Sequence, residues 1–66
     1  MSTVALVHVV QDTDSGLFMF PHEGDVGYTK LIKDAGTFDD IESAIDTAMI
    51  HLGHNFIVFS FYGEQP

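Results

Sequence analysis

His54-Asn55-Phe56-Ile57-Val58-Phe59-Ser60-Phe61-Tyr62 decides how this chain folds. The run is aromatic and β-branched, carries no charge, and is bounded by Gly53 and Gly63. Such a stretch reads as a β-strand. Side chains of a strand alternate between its two faces, so Phe56, Val58, Ser60 and Tyr62 share one face and Ile57, Phe59 and Phe61 share the other. Both faces are apolar and both need cover. A helix of the same chain can supply one cover. Ile57, Phe59 and Phe61 are then expected to meet a partner or a second copy, and a homodimer is expected.

The segment before this strand holds the one clear helical pattern. Phe38, Ile41, Ala44/Ile45, Ala48/Met49 and Leu52 recur at spacings of three and four, which places them on one face. Asp39, Glu42, Ser43, Asp46 and Thr47 fall largely on the opposite face, and Ile50 falls beside them as an exposed apolar residue. Thr37 is the expected N-cap, with Asp39 and Asp40 in the first turn, where the positive end of the helix dipole favours acids. Asp40 takes the third position of an imperfect capping box. Gly53 closes the helix, and His51 sits near its negative end.

Toward the start, Thr3–Val10 is almost continuously apolar and reads as a strand covered on both sides. Gln11-Asp12-Thr13-Asp14-Ser15-Gly16 is turn chemistry. Leu17–Phe20 reads as a second strand ending at Pro21, joined to the first as a hairpin. A loop over Pro21–Asp25 leads to a third strand over Val26–Lys33, whose lysines mark a partly solvated edge. Asp34-Ala35-Gly36 turns the chain, and Glu64-Gln65-Pro66 is expected to fray. The order β-β-(β)-α-β predicts one α+β domain over residues 1–66. Its antiparallel sheet has three or four strands, one helix packs on one face, and the last strand adds beside the first.

Size and composition limit what such a domain can do. A chain of 66 residues buries only about 60% of its unfolded surface. It has no cysteine, so disulfides and thiolate metal sites are excluded, which is compatible with a reducing cytoplasm. No run approaches the ~18 apolar residues of a membrane span, and Met1-Ser2-Thr3 lacks the basic start of a signal peptide. A cytoplasmic location is expected.

Charge is the strongest compositional feature. Ten acidic residues face two lysines and no arginine, for a formal net charge of -8. Such a surface repels nucleic acid and anionic lipid. It attracts basic surfaces, and salt weakens that attraction. Acidity alone also keeps a small protein soluble. The sharper reading is a ligand for the groove of a nucleic-acid-handling protein. Its expected contacts are Asp39, Glu42 and Asp46 on the helix, Asp12 and Asp14 in the hairpin, and Ile50 beside the helix acids.

Chemistry finds little support. Asp12, Asp14 and Gly16 open like a calcium loop, with Glu23 at the twelfth position, but Leu17 stands where that loop needs glycine. His51 and His54 are three apart without a second ligand pair, and a histidine at a helix end is explained by the dipole. There is no Gly-x-Ser-x-Gly and no base beside a serine. No enzyme, cofactor or metal is expected.

Two resemblances bear on function. Gln11–Pro21, followed by a third strand and then Gly36-Thr37-Phe38-Asp39-Asp40-Ile41-Glu42-Ser43-Ala44, resembles the N-terminal domain of HicB-type antitoxins. The chain lacks that family's Gly-Cys after the second strand and its C-terminal DNA-binding segment. The resemblance implies toxin binding by an acidic surface without operator binding. In size, acidity and α+β character the chain is also similar to small phage-encoded inhibitors, of the anti-CRISPR and RNA-polymerase-inhibitor kinds. That similarity implies a host cytoplasm and mimicry of nucleic acid. The expected function is a non-enzymatic acidic inhibitor of a basic nucleic-acid-handling protein. The alternative is a HicB-like antitoxin or another dimeric interaction module.

Overall fold

The computed structural model describes residues 3–22 and 24–65. In chain order it holds β1 (Thr3–Asp12), β2 (Phe18–His22), β3 (Asp25–Thr29), a 3-10 turn (Ile32–Asp34), α1 (Ile41–Leu52) and β4 (Phe56–Gln65). The strands form one antiparallel four-stranded sheet in the order β3-β2-β1-β4, and α1 packs on it against β1 and β4. This is the expected α+β architecture, with the last strand beside the first.

β1 and β4 pair without interruption from Thr3↔Gln65 to Asp12↔Phe56. Register fixes which side chains share a face. Val10 lies opposite Val58 and His8 opposite Ser60 on the helix side, while Val9 lies opposite Phe59 and Val7 opposite Phe61 on the other. The core sits under the helix. Val10, Met19, Ala44 and Ala48 are buried there, ringed by Val26, Phe38, Leu52, Phe56 and Val58. Alanine at both buried helix positions lets α1 lie close to the strands, where larger side chains would hold it off.

β1 and β2 are held together in an unusual way. Their register consists of Gln11↔Phe18 alone. Past that pair β2 diverges, and residues 36–38 enter the gap. The Gly36 N–H donates to the Met19 carbonyl at 2.9 Å, while His8 and Phe38 exchange backbone bonds of 2.9 and 2.8 Å. Backbone groups that the split would orphan are thereby paired, as buried polar groups must be. Glycine is needed in this stitch, because a Cβ on Gly36 would stand 2.5 Å from Pro21 Cδ.

The same stitch corrects the helix start. α1 begins at Ile41, with Asp40 as N-cap in place of Thr37. The Asp40 carboxylate accepts from the Glu42 N–H at 3.3 Å and from the Ser43 hydroxyl at 3.4 Å. Phe38 is held extended against His8, so no helix can form across it. Asp39 therefore lies ahead of the helix, outside the helical stripe assigned to it.

Other boundaries move for local reasons. β1 extends to Asp12 because Gln11 and Asp12 pair with Ile57 and Phe56. β2 continues through Pro21 to His22, and the expected Pro21–Asp25 loop shrinks to the tight connection at Gly24, whose φ is 79°. Pro21 is tolerated inside β2 because β1 has left that side and asks no ladder bond of it. β3 covers Asp25–Thr29, not Val26–Lys33. The Leu31 N–H donates to the Thr29 hydroxyl at 3.2 Å, a local bond that turns the chain out of the ladder. The expected frayed tail is strand as far as Gln65, because Glu64 and Gln65 pair with Val4 and Thr3. Pro66, like the Glu23 of the calcium-loop reading, lies outside the described residues.

Candidate interaction surfaces

On the outer face of α1, Glu42, Asp46 and Ile50 follow one another at spacings of four, all exposed. A spacing of four keeps side chains on one helical stripe. Ile50 is the most open large apolar side chain there, 79% exposed. The hairpin acids divide. Asp14 is exposed, whereas Asp12 is half-buried and braces the turn. Its Oδ1 accepts from the Asp14 N–H and its Oδ2 from the Ser15 hydroxyl, each at 2.9 Å. Asp12 thus works mainly as a turn residue, a role that Asp followed by Ser and Gly signals in the sequence.

Backbone bonding places the hairpin relative to the helix. The Thr13 N–H donates to the Asn55 carbonyl at 3.1 Å, and the Asn55 N–H donates to that of Leu52. The hairpin turn therefore lies at the C-terminal end of α1. Glu42 and Asp46 keep the helical face expected of them, while Asp39 stands ahead of α1. Both lysines, Lys30 and Lys33, lie in the stretch after β3, the sheet edge farthest from β4. The His51 ring approaches Asp25 at 3.9 Å, a solvent-exposed contact that contributes little. Burial, with the carboxylates of Asp12 and Asp25 adding to it, raises the Tyr28 phenol above its ordinary pKa.

The sheet face away from the helix is handled differently from its two-cover reading. Val7 and Val9 are buried there without a second helix. β2 and β4 flank β1 and so stand about 9.6 Å apart, yet the Phe18 and Phe59 ring centroids are 6.3 Å apart. The two rings therefore lean toward each other over β1. Aromatic side chains of the neighbouring strands replace the missing layer, and the exposed surface passes to β4. Ile57, Phe59 and Phe61 remain 44%, 41% and 39% exposed. The sequence reading grouped these three correctly, but it could not show that β1 is shielded by phenylalanines.

A second bare strip was missed. Val4, Leu6 and Tyr62 are exposed although register puts Leu6 and Tyr62 on the helix side. Length explains it: twelve residues of helix span about 18 Å, while the ten-residue ribbon beneath runs about 33 Å. Alternation predicts which face a residue occupies, not how far the cover reaches.

Other sites are modest. Beneath α1, where β2 leaves β1, a cavity of about 260 Å³ is lined by Met19, Phe20, Val26, Phe38 and Thr47, with Asp25 as its one charged residue. That is at the small end for a ligand pocket. No group of three or more His, Asp or Glu among the described residues is placed to hold a metal. His8 is buried in mid-strand and shares a 2.6 Å hydrogen bond with Ser60, which satisfies a polar ring in apolar surroundings. No described helix is long and apolar enough to cross a membrane. No family model, curated protein or solved structure matches this chain.

Proposed function

We propose that this chain is a non-enzymatic acidic binding protein that inhibits a basic, nucleic-acid-handling partner by occupying its groove. The observation that carries this reading is the pair of exposed carboxylates on the outer face of α1. Glu42 and Asp46 stand exposed one turn apart on α1, and Asp14 is exposed in the hairpin at its C-terminal end. A spaced row of negative charge presents a basic groove with what a phosphate backbone presents. Long-range attraction then steers encounter and weakens as salt rises. Exposed Ile50 adds apolar contact at the same helix face, and so does Met49, which is 47% exposed although its spacing grouped it with the inner face.

The test is capture from a cell lysate at low salt, followed by direct binding of the recovered protein in competition with duplex nucleic acid. Displacement by nucleic acid and by salt is expected. The double variant Glu42→Gln/Asp46→Asn should bind at least tenfold more weakly with its circular dichroism unchanged. Recovery of no nucleic-acid-binding protein at low salt, or full activity in the double variant, would sink the reading.

A further inference from the structure

The two edges of the sheet are built differently. β3 is five residues long, opens on Asp25 and is followed by Lys30 and Lys33. Short length and flanking charge are how proteins keep an edge from pairing. β4 carries a charge only at its far end, at Glu64. It is ten residues long, it pairs with β1 alone, and residues 56–63 contain no charge and no proline. Its outer N–H and C=O groups form a row about 33 Å long. Ile57, Phe59 and Phe61 stand along that edge with about two-fifths of their surface open.

We propose that β4 pairs antiparallel with β4 of a second copy, so that two sheets join into one continuous sheet. A two-fold axis at Phe59 sets Phe59 against its own copy and Ile57 against Phe61 of the other. Directly opposed aromatic and β-branched side chains are favourable cross-strand pairs. The twofold keeps both apolar rows on the same side of the joined sheet.

Charge disfavours a basic partner here and is compatible with a second copy. A basic partner would be recognised by carboxylates, and residues 56–63 have none. Two bodies of net charge -8 repel least where they meet along an uncharged seam, and this strip is one. The area available fits a weak, concentration-dependent pair. Open surface on Ile57, Phe59 and Phe61 comes to roughly 250 Å² per copy. Edge backbone adds to it across the paired residues 56–62. This contact does not rest on the proposed partner binding, and salt separates the two. Screening weakens the acidic contact and strengthens pairing between like-charged copies.

The test combines mass and exchange on the wild-type chain. Light scattering at micromolar concentration should give twice the chain mass, with the dimer fraction rising with protein and with salt. Amide exchange along β4 should slow as concentration rises, while β3 amides do not change. Phe61→Lys should give a monomer with unchanged circular dichroism, and Tyr28→Lys on the protected edge should leave the dimer intact. A single-chain mass at every concentration and salt would overturn the proposal, as would a dimer whose β4 amides exchange independently of concentration. Because exchange is read on the wild-type chain, the test stands if Phe61→Lys fails to fold.

Discussion

β1 and β4 are the same length, run side by side in full register and are both almost wholly apolar between residues 4–10 and 56–62. Yet Val9 of β1 is fully buried, whereas its opposite number Phe59 is 41% exposed. Composition does not separate them; position in the sheet does. β1 has a strand or stitch on both sides, a helix below and phenylalanine rings above. β4 has a neighbour on one side, and its Ile57, Phe59 and Phe61 have no layer above them. In a domain this small, one strand can be interior on every side only if another is left at the boundary.

Breaking the β1 side of the comparison should have the largest effect. Val10→Asp places a carboxylate without a partner in the core beside Ala44 and Ala48. The cost of several kcal/mol should abolish cooperative thermal unfolding followed by circular dichroism. Gly36→Ala attacks the stitch that lets β1 remain interior. The added methyl meets Pro21, and a loss of about 1–3 kcal/mol is expected in urea titration. Phe59→Ala tests whether β4 rings shield β1. A loss of about 1–2 kcal/mol and faster exchange at the Val9 amide are expected; no change at Val9 would refute the shielding.

At the bare end of β4, Tyr62→Ser should change stability by no more than about 0.5 kcal/mol, because Tyr62 is already 75% exposed. The smallest effect sits on the opposite edge. The raised Tyr28 pKa means the folded chain holds the phenolic proton more tightly than the unfolded chain. That contribution is present below about pH 10 and lost as pH rises through the raised value. Tyr28→Phe should flatten the alkaline decline in melting temperature.

What was legible in the sequence was what repeats locally. Alternation at 56–62 set the faces of β4, and the three-and-four spacing through Ala44, Ala48 and Leu52 set the inner face of α1. The α+β order followed from those two elements and the hairpin. What was not legible depends on distant residues. Thr37 carries a good cap signal, yet Phe38 is claimed by His8, thirty positions away, and the cap passes to Asp40. The lean of Phe18 and Phe59 over β1 exists only because β1 lies between β2 and β4. The acidic helix residues Glu42 and Asp46 are exposed, while Asp12 is half-buried and braces the hairpin turn, since turn chemistry and partner chemistry ask for the same side chain.

The ladder between β1 and β4 also governs how quickly the molecule forms. Its pairs join the first residues of the chain to the last, so a loop of some fifty residues closes before the sheet is complete. Such long-range closure costs entropy before any contact rewards it and slows folding relative to helical domains of equal size. Until β4 arrives, the valine-rich first strand waits with an open flank, the kind of intermediate that invites aggregation. Refolding yield should therefore fall as protein concentration rises, even in variants whose final stability is unchanged.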